Sequence, residues 1–392
     1  MSDDVLFDLP GLDDIHVFVA GTGRVGATLL DQLAAEAPAV ARRTGLRFVL
    51  AGIARSTCAA VDPSGLDLRC WRASLAAASA PPNHLIEAAR RATQTVRVFV
   101  DCTASAEVAD AYAGLLAHGV VIVSANKIAF SGPPERCARL RRLARRHGGT
   151  YAETTVGAGL PILRPIADMV ATGDTVTRIE GVLSGTLSFI FGLLNTGRPF
   201  SRAVRAAHER GFTEPDPRDD LSGRDVARKL VILGREAGFD ISAEDIRTVP
   251  LLPGDGWCDL SLDDFWKRLP EADPHFEARR ASAAAADSVL ACTAAIDRSG
   301  ARLSVQAVPR SHPCASLSPG DNLVAVTSHR YRERPLVIQG PGAGPDVTAA
   351  GVFADLLRAG LEARRLHPRL PPTRVAAPRH RSGSRAHSRT PR

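Results

Sequence analysis

A glycine motif close to the N-terminus limits what this chain can fold into. The apolar run Ile15-His-Val-Phe-Val-Ala20 leads into Gly21-Thr-Gly-Arg-Val-Gly26, and apolar residues at helical spacing follow from 27 to 35. Strand, glycines and helix in this order form the dinucleotide-binding turn: Gly21 permits the turn, Gly23 admits a pyrophosphate and Gly26 lets helix and strand pack closely. A glycine-rich turn of another α/β protein stays open as the alternative for this motif alone.

The end of the second predicted strand indicates which dinucleotide binds. The strand at 48–53 runs into Ala54-Arg55-Ser56, where an NAD-preferring site usually has an acidic residue for the ribose hydroxyls. Arg55 can instead pair with a 2′-phosphate, so we expect NADP, with NAD also possible. The backbone of Thr22, Arg24 and Val25 belongs to the same phosphate-binding helix start.

Two further strands bring polar residues to the same edge of the predicted sheet. Thr103 follows the strand at 96–102, and Lys127 in Ser124-Ala-Asn-Lys127 follows the strand at 120–123. Ligands collect beyond the carboxyl ends of such strands. Lys127 is therefore either an amine beside the cofactor crevice or a solvent-exposed lysine at a strand end, and its position leaves both open.

An acidic stretch at 211–229 concentrates titratable side chains. Pro215 and Pro217 predict a rigid, non-helical loop over its first half, and Ser222 is a good N-cap for a helix over its second half. On that helix Asp225 and Lys229 share a face at i, i+4 spacing.

Two interpretations of the acidic stretch compete. In one, an exposed ion pair worth about 0.3 to 0.5 kcal/mol follows an acidic, solvated turn. In the other, carboxylates of Glu214, Asp216, Asp219, Asp220 and Asp225 converge on an amine-bearing substrate while Lys229 serves as a proton donor.

The order of predicted elements implies two domains. We expect an α/β Rossmann-type nucleotide-binding domain at 1–150, completed by 340–365, where a second glycine loop precedes a helix. Strands at 289–297, 302–308, 323–327 and 336–339 predict a largely antiparallel sheet in an α+β catalytic and dimerisation domain at 151–339. Because a monomer would leave part of this sheet uncovered, we expect a homodimer.

Composition limits the partners of the chain. Its net charge is +7, but nine arginines fall between 364 and 392, so the remainder is slightly acidic and residues 366–392 read as a disordered basic tail. We therefore expect neither nucleic-acid nor membrane binding. The seven cysteines show no metal-binding spacing, and the N-terminus shows no apolar signal segment, which predicts a cytoplasmic protein.

Taken together, the motifs resemble homoserine dehydrogenase, in the form without a C-terminal regulatory domain. The resemblance covers about residues 15 to 363 through GTGRVG, SANK, AETTVGAGLPI, LSGTLSFI, GFTEPDPRDDLSGRDVARK and GPGAGPDVTAAGV. It implies interconversion of L-homoserine and L-aspartate 4-semialdehyde with NAD(P), in threonine, methionine and isoleucine biosynthesis. Nothing here resembles the domain that confers threonine feedback, so little inhibition by threonine is expected.

The resemblance also implies roles for individual residues. Lys229 and Lys127 become the candidates for proton transfer, with Asp225 orienting Lys229. Gly344 and Thr103 join the first glycine loop at the cofactor. The implied substrate-binding residues are Glu214, Asp220, Thr186 and Lys229. The implied ligands of a monovalent cation, usually sodium, are the carbonyls of Glu153, Val156, Ala158 and Leu160. Ile128 departs from the family pattern, which often has a second lysine there.

Two rival functions remain. An aspartate-semialdehyde dehydrogenase would need a nucleophilic cysteine, and no cysteine lies in a convincing nucleophile turn, although Cys102 is near the cofactor. A nucleotide-sensing protein that has lost catalysis would be free to lose charged residues that this chain retains.

Overall fold

Two six-stranded sheets organise the structure, a computed structural model that describes residues 13–366. The acidic leader and all but the first residue of the predicted tail at 366–392 lie outside the described residues. The strands of the first sheet are β1 Asp13–Ala20, β2 Leu46–Ala54, β3 Ala59–Leu66, β4 Arg97–Asp101, β5 Val121–Ser124 and β6 Thr150–Tyr151. Those of the second are β7 Val176–Val182, β8 Ile246–Thr248, β9 Ser288–Asp297, β10 Gly300–Pro309, β11 Asp321–Ser328 and β12 Leu336–Pro341.

Helices cover both faces of the first sheet and pack against the core on one face of the second. In chain order they are α1 Arg24–Thr44, α2 Trp71–Ala76, α3 His84–Arg91, α4 Ala106–Asp110, α5 Tyr112–Ala117, α6 Ile128–Ser131, α7 Pro134–His147, α8 Leu163–Ala171, α9 Gly185–Asn195, α10 Phe200–Glu209, α11 Pro217–Leu221, α12 Arg224–Glu236, α13 Leu262–Arg268, α14 Asp273–Ala285 and α15 Pro345–Leu366. Among these described helices, none combines the length and the apolarity that crossing a membrane requires.

The first sheet has the predicted Rossmann-type arrangement. Its order is β3-β2-β1-β4-β5-β6, and all neighbours are parallel except β3, which runs antiparallel to β2 at the edge. The strands are apolar on both faces because helices cover both: α1 and α15 on one side, α3, α5 and α7 on the other. The chain therefore returns to the nucleotide-binding half through α15, as predicted.

The second sheet confirms the predicted antiparallel pairing. Its order is β12-β11-β7-β9-β10-β8, with β9 and β10 forming the hairpin and only the short β8 parallel to its neighbour. Leu290, Cys292, Ala294 and Ile296 alternate along β9 and pack against the large core beneath the helices. The proposed domain limits at 150/151 and 339/340 fall inside β6 and inside β12.

The acidic stretch differs from its prediction. Residues 217–221 form a short helix, α11, because Pro217 occupies its first position, where a missing N–H costs nothing, and the Asp216 carboxylate accepts from the amide of Arg218. Ser222 is not the N-cap of α12. That position belongs to Gly223, at φ +71°, and the Ser222 hydroxyl donates to the carbonyl of Asp219.

Several other elements were not anticipated, among them β3, α13 and α14. The sequence did not reveal β3, because its Pro, Ser and Gly resemble a loop and only pairing with β2 makes it a strand. The helices α13 and α14 occupy a region that the sequence described as irregular. Their Phe265 and Phe276 side chains are fully buried in the second core, which explains why tertiary packing stabilises them.

Candidate active site

The first glycine turn has the geometry that a pyrophosphate requires. Gly21 has φ +88°, and a Cβ at Gly26 would lie 1.8 Å from the Gly21 carbonyl oxygen, so helix and turn touch there. A Cβ at Gly23 would meet nothing within 4 Å, which leaves open space before the start of α1. The turn and the amides of the first turn of α1 therefore fit a dinucleotide phosphate group.

A cavity of about 600 Å³ continues from this turn and has Thr103 in its lining. Arg55 lies in the lining, and its Nε is 3.2 Å from the Cys58 sulfur. The sequence missed two other lining residues, Trp71 and Arg72, since they follow the unpredicted β3. The Arg72 guanidinium stacks 4.3 Å from the Trp71 ring and donates both of its terminal nitrogens to the Asp31 carboxylate at 2.7 Å each. Arg55 is therefore the guanidinium group that this cavity offers to an adenosine phosphate.

A buried polar network fixes the ends of β4 and β5. The fully buried Asp101 accepts from the Thr103 amide at 2.7 Å, from the Tyr112 hydroxyl at 2.7 Å and from Asn126 Nδ2 at 3.0 Å. Burial raises the pKa of Asp101, against these hydrogen bonds. Asn126 Oδ1 also accepts from the amide of Ile128 at 3.0 Å, so the network holds the backbone on both sides of Lys127.

The sequence analysis did not identify this network. Asp101 and Tyr112 look like strand and helix residues, and only the fold brings them together. One signal was present, namely an acidic residue ending an otherwise apolar strand.

Both candidate lysines contact one carboxylate. The Asp225 Oδ2 lies 2.8 Å from the Lys229 ammonium one turn along α12, as the helical spacing predicted. Its Oδ1 lies 3.3 Å from the ammonium of Lys127, which follows β5 in the first sheet. Lys229 Nζ also donates to the carbonyl of Leu183 at 2.7 Å. Asp225 therefore links the two halves of the molecule, a contact that the sequence did not predict.

The local environment favours a proton-donating Lys229. Burial lowers the pKa of Lys229, Asp225 raises it, and the nearby charge of Lys127 lowers it again. Partial burial would raise the pKa of Asp225, but the ammonium groups of Lys229 and Lys127 outweigh that effect and hold it well below its usual range. A buried amine with a lowered pKa beside a fixed anion can donate and recover a proton.

The acidic carboxylates have different roles. Asp216 forms an ion pair with Arg218 at 2.6 Å, and Asp219 forms one with Arg224 at 2.6 Å, so an arginine neutralises each of these two carboxylates. Asp220 accepts from the amide of Glu214 at 2.8 Å, and burial raises its pKa.

The sequence predicted Thr186 in a connecting turn, whereas in the structure it lies in the first helical turn of α9. Its hydroxyl donates to the carbonyl of Phe212 at 2.6 Å, at the start of the acidic stretch. Thr186 is therefore tied to the segment that carries Glu214.

The loop at 153–160 has an unusual backbone. Gly157 and Ala158 have φ values of +75° and +55°, which L side chains rarely adopt, so successive carbonyls diverge from regular directions. The Glu153 carboxylate accepts from the amides of Ile162 and Leu163 at 2.6 Å each and so caps the start of α8. The candidate cation ligands in this loop are backbone carbonyls, and between residues 13 and 366 no group of three or more His, Cys, Asp and Glu side chains could hold a metal.

Fold and site together define a dinucleotide-binding α/β protein in which a lysine–aspartate centre lies between the nucleotide half and a second, antiparallel half. Two family models cover these halves: "Homoserine dehydrogenase, NAD binding domain" matches residues 21–152, and "Homoserine dehydrogenase" matches residues 161–357. The chain belongs to the homoserine dehydrogenase family, as the sequence motifs predicted.

Individual proteins agree with this family. The chloroplastic bifunctional aspartokinase/homoserine dehydrogenase 1 of Zea mays is 41% identical over 353 residues, which are 88% of this chain and 38% of that protein. The chain thus spans less than half the length of this curated relative. A crystal structure of a Candida auris protein of unknown function is 36% identical, with TM-score 0.80, and the match covers 88% of this chain and 98% of that one.

A hyperthermophilic archaeal homoserine dehydrogenase in complex with NADPH shares the fold. Its TM-score is 0.69, its identity is 19%, and the match covers 89% of this chain and 98% of the archaeal chain. This likeness concerns the fold alone.

Proposed function

We propose that this chain is an NAD(P)-dependent homoserine dehydrogenase that interconverts L-homoserine and L-aspartate 4-semialdehyde. The observation that carries the proposal is the array in which Asp225 of the acidic stretch contacts both Lys229 on the same helix and Lys127 after β5. Family membership supports the same reaction. In a cell it would serve threonine, methionine and isoleucine biosynthesis in the cytoplasm.

Proton transfer is the chemistry that the lysines provide. A dihydronicotinamide cofactor, held at its phosphates by the glycine turn at 21–26, would supply the hydride that the aldehyde carbon accepts. The oxygen then develops negative charge, and Lys229 donates a proton to it while the Asp225 carboxylate and the Leu183 carbonyl orient the amine. Lys127, on the nucleotide side, adds positive charge near the same carboxylate and is the alternative donor.

Carboxylates in the acidic stretch bind the substrate's ammonium group in this proposal. Glu214 and Asp220 are adjacent because the Glu214 amide donates to the Asp220 carboxylate, and partial burial raises the pKa of Asp220. A cationic ammonium would favour its ionised form. Thr186, which is tied to the same segment, contacts the substrate from α9.

For the cofactor we propose NADP, with Arg55 as the partner of the 2′-phosphate. Support comes from its position in the cavity beside Gly21, Thr22, Gly23 and Thr103. Arg24, Val25 and Gly26 begin the phosphate-binding helix. Gly344, with φ +123°, lies in the second glycine loop and approaches the opposite end of the cofactor.

We also propose a monovalent cation, sodium, bound by the backbone carbonyls of Glu153, Val156, Ala158 and Leu160. The positive φ of Ala158 supports this, because such strain persists where surrounding structure or a ligand maintains it. If the proposal is right, melting temperature rises with sodium chloride but not with an equal concentration of tetramethylammonium chloride. Equal responses to both salts would refute it.

The oligomer we propose is a homodimer formed through the second sheet. Light scattering at micromolar concentration should give twice the mass of the chain, and a monomer mass alone would refute the dimer.

Aspartate-semialdehyde dehydrogenase activity is disfavoured. That reaction needs a thiolate nucleophile, and burial raises the pKa of Cys102 to about 12, so the thiol stays protonated.

A direct assay tests the proposed reaction. NADPH oxidation is followed by absorbance with L-aspartate 4-semialdehyde, without inorganic phosphate. Turnover supports homoserine dehydrogenase, whereas strict dependence on phosphate or loss of activity with a thiol reagent supports the rival. Binding of NADPH without turnover in either direction would indicate a non-catalytic nucleotide sensor.

A further inference from the structure

A buried amide outside the lysine–aspartate centre lacks hydrogen-bond partners. Asn322 in β11 is fully buried, and among the described residues neither its Nδ2 nor its Oδ1 has a partner. Leaving a buried polar group unsatisfied costs about 1 to 3 kcal/mol, so native proteins rarely keep one without a reason. The surroundings of Asn322 indicate what that reason is.

The second glycine loop lies directly against this amide. A Cβ built on Gly342 would be 1.9 Å from Asn322 Cγ and 2.3 Å from both Nδ2 and Oδ1, so only glycine fits there. Gly342 is buried, whereas Ala343 and Gly344 after it are exposed. The loop is therefore anchored on Asn322 and presents its next two peptide groups to solvent.

This loop reaches the substrate side of the site. A Cβ on Gly185 would lie 3.9 Å from the Ala343 Cβ, and Gly185 directly precedes Thr186 on α9. By contrast, the cavity beside Gly21 and Arg55 contains no residue of the loop in its lining. With Thr186 at the substrate and Arg55 at the 2′-phosphate, as proposed above, the loop would lie next to the reacting end of a dinucleotide and Arg55 next to its adenosine end.

We propose that Asn322 is a positioning residue for the nicotinamide end of the cofactor, acting through the loop 342–344. On binding, its amide hydrogen-bonds the peptide groups at 342 and 343 and fixes the exposed backbone of Ala343 and Gly344 against the ligand. This inference rests on the proposed NAD(P)-dependent function. An amide that has no hydrogen bonds in the free protein and gains them in the complex stabilises the complex. The stabilisation equals the difference in the free energy of that amide between the two states.

The test compares a whole dinucleotide with its adenosine half. Asn322→Ala removes the amide, and Asn322→Ser keeps one hydrogen-bonding group in a smaller volume. Dissociation constants are measured by calorimetry for NADPH and for 2′,5′-ADP, which lacks the nicotinamide end. We expect NADPH to bind about tenfold more weakly to Asn322→Ala, with serine intermediate, because one to two hydrogen bonds are lost. Affinity for 2′,5′-ADP and the melting temperature of the free protein should stay close to wild type.

A matched control lies on the same strand. Ser328 is also buried in β11, but its hydroxyl donates to Asp174 Oδ2 at 2.6 Å. Ser328→Ala should therefore lower the melting temperature and leave both dissociation constants unchanged, which is the reverse of the pattern expected for Asn322.

Three outcomes overturn the inference. If wild type binds NADPH and both Asn322 variants bind it equally well, the amide does not position the loop. If the variants lose NADPH and 2′,5′-ADP affinity alike and melt at lower temperature, Asn322 is a structural residue, for example one satisfied by a buried water. A wild-type chain that fails to bind NADPH overturns the proposed function and this inference with it.

Discussion

The Asp225 carboxylate lies 2.8 Å from the Lys229 ammonium, and the same carboxylate reaches the lysine that follows β5. Lys229 is buried, whereas the Asp225 side chain is 50% exposed, so solvent reaches the pair on its acidic side. Such a pair differs from the exposed helix pair that the sequence alone allowed. The first two predictions concern it.

Replacing Lys229 with Ala should lower kcat by roughly 10²- to 10⁴-fold, the usual contribution of a positioned acid. NADPH affinity should persist, since the phosphate contacts belong to the first sheet. The fold should survive because Asp225 keeps Lys127 as a partner, and the lost charged hydrogen bonds cost about 1 to 3 kcal/mol.

Lys267→Ala is the matched control, because Lys267 forms an exposed pair with Asp264 at 2.9 Å on α13. Its turnover should equal that of wild type. Near-normal turnover of Lys229→Ala together with an inactive Lys127→Ala would mean that Lys127 is the acid.

The pH dependence should shift in opposite directions in two variants. Aldehyde reduction needs protonated Lys229, so kcat/KM falls as pH rises through its pKa. Asp225 raises that pKa and Lys127 lowers it. Asp225→Asn should therefore move the falling limb to lower pH, and Lys127→Met should move it to higher pH. Limbs that stay fixed, or that shift the same way in both variants, would show that another group controls the profile.

Arg55→Ala should weaken NADP binding by about 1 to 3 kcal/mol and leave NAD binding nearly unchanged, because a charge-assisted pair to the 2′-phosphate is lost. Titration of both cofactors by fluorescence measures this. Arg42→Ala, an exposed change near the far end of α1, serves as the control. Equal losses for the two cofactors would make Arg55 a structural residue.

Alanine substitutions at two glycines of the first glycine turn should impair the protein in different ways, one through its stability and the other through cofactor binding. Gly26→Ala would bring a Cβ to 1.8 Å from a backbone carbonyl, so we expect a lower melting temperature and no cofactor binding. Gly23→Ala meets nothing within 4 Å, so it should melt near wild type but bind NADPH poorly, since the methyl group occupies the space for the pyrophosphate. The idea fails for Gly23 if affinity is retained.

Much of the architecture was readable from local patterns. Hydrophobic runs ending in glycine turns predicted the Rossmann-type sheet, and strands with alternating apolar residues predicted the hairpin of β9 and β10. These predictions work because the spacing of apolar residues shows whether an element buries one face or both. The family followed from motif order, and the contact of Asp225 with Lys229 followed from helical spacing alone. Apart from the order of the motifs, these features depend on residues close together in sequence.

Contacts between distant segments were decided only by the tertiary structure. Three such contacts join residues that no local pattern relates. They are the ion pair of Lys127 with Asp225, the hydrogen bonds around Asp101 and the close approach of Gly342 to the Asn322 side chain. The structure also separated Asp216 and Asp219, paired with neighbouring arginines, from Glu214 and Asp220. Sequence spacing reveals which side chains lie on the same face of a helix or strand. Whether that face is buried and its charges are neutralised depends on what the rest of the fold packs against it.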